Sequence, residues 1–568
     1  MINRFFNRIA QFRENDLFSV SLLAIVWLAA ICMVNPHGNF PLNDDWEYGR
    51  TVERLIKNGD FQLPGEVAVP VLAHALWGAL FSLMFGFSFT VLRFSTLILG
   101  FMGIILLYTI LREANVGRPR ALFGAASLMV NPLYFLSSYT FMTDVPFVVW
   151  SLSAFLFFLR TINRNSKKDA LIGTGFACLA ILTRQVAFII PLSYGITYWM
   201  KNKRHGNRNH VISQAFFPLA VSIIMLFGYE TWLQTTGRLP VAYNCHISFV
   251  LDPLSRYYLG GAIQDRFFQN AVKTFAYLGL FFLPILLLVS YEKWRALTAW
   301  QKKAVLIISV AATLLTIMFF FSSESGRHIT PYIGNLLNSY GFGPILLPAS
   351  AQFFPDVPII FRFAVTGLAI PSGIALIWHL IFIVKKRFLK FLDNPNAEES
   401  LLFFSLLACV FYGVPLMTVD PVDRYFLFFI PMLICILLVT SGKNLLGLSR
   451  FISGWSLVLL IIYGLFSIIG THDYLSLHRA RWQALDELMR ERKLSPNQIE
   501  GGFEFDAWYA YPLNKKFKSD EAWWWYKNVK KEYMVTLGLS SGYKEIGRYS
   551  FQKWMPYSEG HVFLLQKK

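Results

Sequence analysis

Long apolar runs alternate with short basic links along most of this chain. A helix needs about 20 mostly apolar residues to cross a bilayer. On that measure the runs at 17–36, 90–111, 119–137, 144–161, 168–183, 186–200, 211–230, 271–290, 303–321, 363–384, 400–418, 424–440 and 449–470 are predicted spans. The pair 168–183 and 186–200 is short and flanks Thr183-Arg184-Gln185. With the N-terminus inside, the internal links are 112–120, 160–168, 201–210, 291–303, 385–399 and 441–450, and every one is basic. Merging the short pair would move several of them outside, so the positive-inside rule favours about thirteen spans and an external C-terminus. Arg4, Arg8 and Arg13 precede the first run, and Asn35-Pro36-His37-Gly38 after it lacks a small-x-small cleavage pattern. The first run is therefore expected to remain as a helix with a cytoplasmic N-terminus.

The external segments 37–89, 231–270 and 322–362 are long. Long loops in a compact protein usually carry function or structure of their own. Residues 45–58 have helical apolar spacing (Trp46, Val52, Leu55, Ile56) and end at Asn58-Gly59, whereas 71–84 is apolar but too short to span. Both read as helices on the membrane surface. Beyond 470 the composition changes. An amphipathic helix is predicted at 476–492, with Leu475, Trp482, Leu485 and Leu488 on one face, followed by strands at 531–538 and 561–566. The expected fold is an all-α polytopic membrane domain, 1–470, followed by a small external α/β domain, 471–568. No tandem repeat is visible.

Composition agrees with this class. The chain is 55% hydrophobic and 15% charged, against about 25% charged in soluble proteins. Its formal charge is +18, but the basic residues belong to the internal links, and no RNA- or DNA-binding signature accompanies them; nucleic acid is not an expected partner. Four of the five cysteines (Cys32, Cys178, Cys409, Cys435) lie in apolar runs and only Cys245 in an external loop. That leaves no external disulfide framework and no zinc-ligand spacing. The Trp523-Trp524-Trp525-Tyr526 run suits core or interface packing better than sugar stacking.

Charge is scarce, so acids and arginines at the external ends of spans need a reason. Asp44 and Asp45 follow the first span almost directly, in Pro41-Leu42-Asn43-Asp44-Asp45-Trp46-Glu47-Tyr48. Asp44 as N-cap with Glu47 three residues on makes a capping box. That explains one carboxylate and leaves its neighbour over; a carboxylate held near but shielded from water can also take a proton from a hydroxyl. Asp144, in Met142-Thr143-Asp144-Val145-Pro146, opens the fourth span. It fits a cap, or a charge kept near hydrocarbon by a partner or substrate. Arg93, Arg184, Arg327 and Arg424 lie on the external side, which the positive-inside rule disfavours. Arg424, in Asp423-Arg424-Tyr425, suits either a local ion pair or a phosphate clamp. His74 and His328 are also external, and a lone histidine there is usually structural. Acids and cations on one face match the needs of transfer from a lipid-phosphate sugar: a base for the acceptor and positive charge for the departing phosphate.

The layout resembles the GT-C superfamily of polyprenyl-phosphate-sugar glycosyltransferases, in particular its protein mannosyltransferase and aminoarabinose transferase branch. The resemblance runs over roughly 20–440. It rests on Asn43 to Tyr48, Leu55 to Gly59, Gly86 to Arg93, Met142-Thr143-Asp144, Thr183-Arg184-Gln185, and Asp423-Arg424-Tyr425 before Pro431. It implies a polyprenyl-phosphate sugar donor, an acceptor that is protein, lipid or glycan, and a multi-pass protein of a bacterial inner membrane with its site outside. It implies that Asp44 or Asp45 is the base, that Asp144 shapes the acceptor or donor site, and that Arg424 and Tyr425 lie near the donor phosphate. Arg184, Arg93 and Arg327 are candidate phosphate ligands beside them; Glu47, His74, His328 and Asp423 are candidate substrate contacts. Where relatives carry a Lys-Pro-Pro stretch, this chain has Glu66-Val67-Ala68-Val69-Pro70, so a lysine contact is not expected. No cofactor is implied firmly; a divalent metal is compatible with the chemistry. The competing readings are a transporter or flippase, a glycan ligase or polymerase, and a sensor. A transporter would be expected to show charges or broken helices near the midplane in related halves, and the spans show few charges.

Overall fold

The computed structural model describes residues 15–203, 207–243, 262–322, 334–338, 340–347, 358–393, 396–418, 421–442, 445–447, 449–510 and 531–568. Cys245, Arg327, His328 and the Trp523–Tyr526 run lie outside the described residues.

Helices occupy every predicted span. They are α1 (Asp16–Val34), α4 (Phe89–Glu113), α5 and α6 (Arg118–Met129, Pro132–Ser138), α7 (Asp144–Arg164), α8 (Lys167–Ile181), α9 (Ile189–Asn202), α10 (Arg208–Thr235), α11 and α12 (Ala262–Phe281, Leu283–Ala296), α13 (Ala299–Ser322), α14 (Ile359–Asp393), α15 (Ala397–Thr418), α16 (Phe429–Val439) and α17 (Arg450–Asp486). Among the described residues seven are long and apolar enough to cross a membrane, or nine if each bent pair is one span. The bent pairs are α5–α6, turned by 63° at Asn131-Pro132, and α11–α12, turned by 88°. By this measure the chain is a multi-pass membrane protein, with fewer full-length spans than the apolar runs imply. Three of the uncounted runs are simply short: α8, α9 and α16 have only 15, 14 and 11 residues. All of α16 is buried, so it packs against protein rather than lipid.

The uncertain 168–200 stretch is two helices. Residues 182–188 break them, with Arg184 extended (φ −145°, ψ 124°) and Gln185–Phe188 a 3-10 turn. α11 and α14 cross where Gly279 meets Gly373; a Cβ on Gly279 would sit 2.2 Å from the backbone nitrogen of Gly373. Small residues at such crossings let membrane helices approach closely. At one end of the bundle Asp16 pairs with Arg112 and Arg118, and Glu113 with Arg160 and Arg164. Residues from predicted internal links therefore share an end.

At the opposite end lie two first-loop helices, α2 (Asp45–Asn58) and α3 (Leu72–Phe85). α2 stops where predicted: Gly59 takes the left-handed conformation (φ 64°) and its N–H closes on Leu55. The C-terminal domain departs from expectation at its start. The last span and the amphipathic helix are one rod, α17, of 37 residues. Its outer half packs on a four-stranded sheet of β3 (Ile499–Glu500), β4 (Tyr533–Thr536), β5 (Tyr543–Trp554) and β6 (Tyr557–Lys567), in the order β3-β4-β6-β5. β4 lies inside the predicted strand 531–538 and β6 spans the predicted 561–566; β5 was not expected. It is an edge strand whose stretch Arg548-Tyr549-Ser550-Phe551-Gln552 alternates polar and exposed with apolar and inward-facing, the signal of a half-buried strand. A short hairpin, β1 (Leu337–Asn338) and β2 (Gly341–Phe342), and a short helix, α18 (Phe503–Ala510), complete the outer layer.

Candidate active site

Asp44 occupies the N-cap position of α2, but its side chain makes no capping hydrogen bond. The expected capping box is absent. Arg424 Nη1 instead donates to Asp44 Oδ2 at 2.8 Å across 380 residues of sequence. Both side chains are mostly buried, at 14% and 17% exposure. The backbone turn is closed by Asp45, whose Oδ2 accepts the Leu42 N–H at 3.3 Å.

A second pair lies alongside. Arg184, presented by the break between α8 and α9, brings Nη1 to 2.9 Å from Asp144 Oδ1. This contact is an ion pair by distance without the alignment of a hydrogen bond. Arg184 Nε donates to Thr143 Oγ1 at 3.0 Å. Asp144 lies in the first turn of the 21-residue α7, where the helix dipole favours a negative charge. The Tyr425 ring joins the two pairs, its centroid 5.5 Å from Arg184 Cζ and 5.7 Å from Arg424 Cζ. Met142 Sδ lies 3.7 Å from Arg424 Nη1 and 3.6 Å from Asn43 Nδ2. Four distant stretches of sequence thus supply one cluster of two carboxylates, two guanidinium groups and a phenol.

The other candidates are placed differently. Asp45 is 1% exposed; burial pushes its carboxyl up to about 7, against hydrogen bonding and the Arg93 charge, which lower it. Glu47 is also buried, and its carboxyl is pushed well up by burial and then by Asp44 and Glu66, with Arg424 opposing. Arg93 is fully committed: Nε donates to the Tyr139 carbonyl, Nη1 to Pro36 and Gly38, and Nη2 to Phe40, at 2.7–3.0 Å. It ties the loop after α1 to α4 and stands apart from the Arg184–Arg424 cluster. Asp423 accepts the Leu336 and Leu337 N–H groups and the Tyr277 hydroxyl, which anchors β1 behind the cluster. His74 Nε2 lies 3.0 Å from the Phe141 carbonyl, with its ring stacked on Phe141 at 3.9 Å. Among the described residues no group of three or more His, Cys, Asp or Glu side chains converges as a metal site.

Residues 69–232 match the family model for dolichyl-phosphate-mannose-protein mannosyltransferase.

Over that stretch the GT-C resemblance holds. It contains Asp144 and Arg184 but neither Asp44 nor Arg424. No curated protein matches the chain. Solved structures similar to the chain include the oligosaccharyltransferase AglB from Archaeoglobus fulgidus, in complex with an inhibitory peptide and a dolichol-phosphate (15% identity, 88% of this chain and 61% of that one, TM-score 0.44). ArnT from Cupriavidus metallidurans bound to undecaprenyl phosphate is another (13% identity, 97% of each chain, TM-score 0.40). The Pmt1-Pmt2 complex of S. cerevisiae bound to the sugar donor has 19% identity over 40% of this chain and 35% of that one, with a TM-score of 0.32. The chain spans less than two thirds of the length of the archaeal enzyme.

Sequence reading missed Glu66, Tyr48 and Thr143 as neighbours of these groups. Thr143 stands inside a motif already singled out. Glu66 carried no signal beyond its departure from the family pattern, because only folding brings residues 64–71 beside α2.

Proposed function

We propose that this protein transfers a sugar from a polyprenyl-phosphate donor to an acceptor on the outer face of a bacterial plasma membrane. The observation that carries the reading is the convergence of Asp44–Arg424 and Asp144–Arg184 around Tyr425 at one end of the helices. The family match over 69–232 supports it. Asp44 is the general base. Asp45 is too deeply buried and is held by the Leu42 N–H, so it shapes the turn. In the reaction Asp44 takes the acceptor hydroxyl proton while the oxygen attacks the anomeric carbon. The carbon–oxygen bond to the lipid phosphate breaks, and the phosphate leaves as an anion beside Arg424 and Arg184. Attack opposite the leaving group inverts the anomeric centre. A donor phosphate competes with Asp44 for Arg424, since guanidinium binds carboxylate and phosphate alike; donor binding therefore frees the base. Asp144 holds Arg184 and so shapes the phosphate side. Arg93 and Asp423 are positioning residues.

The test is transfer of radiolabelled sugar from polyprenyl-phosphate donors in membranes, at matched expression. Asp44→Asn is expected to abolish transfer, and Asp45→Asn to retain part of it. Equal transfer by wild type and Asp44→Asn would remove the base from this loop. A panel of hexose and pentose donors with protein, lipid and glycan acceptors assigns the substrate and separates transferase from ligase or polymerase chemistry.

A further inference from the structure

The external C-terminal segment reaches into the turn that carries Asp44. Glu504, in α18, accepts the backbone N–H of Asn43 on Oε1 at 3.3 Å, across 461 residues of sequence. Its other oxygen accepts Arg481 Nη1 at 2.7 Å. Both side chains of that pair are fully buried. Arg481 comes from the outer half of α17, and its Nε and Nη2 both donate to the Gly501 carbonyl at 3.1 and 2.8 Å. Gly502 makes the junction possible: its φ is +91°, and a Cβ there would meet the Leu346 carbonyl at 2.6 Å and Arg481 Nη2 at 2.7 Å. Around this polar core Phe503 sets its ring edge-on to Trp46 at 6.4 Å. Trp508 lies under the Arg50 guanidinium at 4.6 Å and receives a hydrogen bond from it on its carbonyl oxygen.

Asn43 is in the left-handed region (φ 52°), which asparagine adopts more readily than other non-glycine residues, and the Glu504 contact fixes it there. It is also the residue directly before the carboxylate that pairs with Arg424. Burying a charged pair is costly unless its geometry and hydrogen bonding are good. Here one end of the pair is spent on the backbone of the active-site turn.

We propose that the C-terminal segment is part of the catalytic apparatus, with Glu504, held by Arg481, acting as a positioning residue that fixes Asn43 and thereby aims Asp44. The proposal rests on the reading of Asp44 as the base.

Two variants in the full-length protein separate this role from a merely structural one. Glu504→Asp keeps the charge opposite Arg481 but draws the oxygen back by one methylene from Asn43. Glu504→Gln keeps the reach to Asn43 but removes the charge. The positioning role predicts that Asp is the worse substitution. In Glu504→Asp, amide hydrogen exchange at Asn43 is expected to run about tenfold faster, the loss of one hydrogen bond. Its kcat is expected to fall about ten- to a hundredfold with donor KM unchanged, the effect of a misaimed group. Glu504→Gln leaves Arg481 without its counter-charge but is expected to keep Asn43 more protected, and to lose less kcat, than Glu504→Asp. The reverse order, with Gln impaired and Asp indistinguishable from wild type in exchange and kcat, overturns the proposal and leaves a structural ion pair. If wild type transfers no sugar from any donor, the proposed function fails, and the exchange measurement still decides whether Glu504 holds the turn.

Discussion

Arg424→Ala is the substitution whose consequences the structure defines best. Arg424 is mostly buried and gives Asp44 a single charge-assisted hydrogen bond of 2.8 Å. Such a bond contributes about 1.5–3 kcal/mol net. Removing one member of a largely buried pair costs about 3–5 kcal/mol, because the other charge is left behind. Asp44 keeps some solvent contact, so the lower end applies to stability. The rate effect is separate. If Arg424 stabilises the leaving phosphate, its loss is comparable to losing one oxyanion donor, about 10²–10³ in kcat. Arg424→Lys keeps the charge without the fork and is expected to fall between. The assay is sugar transfer in proteoliposomes, with thermal unfolding in detergent on the same samples. A double-mutant cycle with Asp44→Asn adds the decisive arm. On the proposed mechanism Arg424 and Asp44 act in one step, so the double variant is expected to be little worse than the worse single one. A folded Arg424→Ala protein with kcat within about threefold of wild type would exclude this role for Arg424.

Three further outcomes follow from other residues. Burial raises the Asp45 carboxyl from 3.8 to about 7, so the folded state holds its proton more tightly than the unfolded chain and stability falls as pH rises from about 4 to about 7. The full penalty is roughly 4 kcal/mol. Asp45→Asn is expected to flatten that slope and raise Tm at pH 8, measured by thermal unfolding across pH; an unchanged slope would show that Asp45 does not set it. Arg93 donates to four carbonyls, so Arg93→Lys should lower Tm with little change in donor KM. A raised KM at unchanged Tm would make Arg93 a phosphate ligand instead. The β5–β6 tip, with exposed Met555 and Tyr557, is tied by its Trp554 and Met555 N–H groups to Asp473, just beyond the apolar part of α17. A spin label at Met555→Cys in nanodiscs should show the oxygen accessibility of the membrane interface; full accessibility to a water-soluble relaxation agent would place the tip in solvent.

The membrane class, the places of the helices and the end of α2 at Gly59 were legible in the sequence. Each depends on local quantities: an apolar run, a basic link, a residue that tolerates positive φ. The acids and arginines at the ends of the apolar runs were legible for a similar reason, since a charge beside hydrocarbon stands out in a chain that is 15% charged. Their pairing was not. Arg424 had an acid beside it in sequence, Asp423, yet it pairs with Asp44, while Asp423 is spent on the backbone of β1. Arg93 looked like a phosphate ligand by its side of the membrane and is instead saturated by carbonyls.

Tertiary structure decided what sequence spacing cannot encode: which donor meets which acceptor when contacts join residues hundreds of positions apart. Asp44 and Arg424, or Asn43 and Glu504, are neighbours only after the bundle closes and α17 carries the C-terminal segment back over the first loop. The sequence by itself determined that charge would gather at one face of a membrane bundle. Packing decided which charges pair with one another and which hold the backbone in place, because burial leaves each of them a single set of partners within reach.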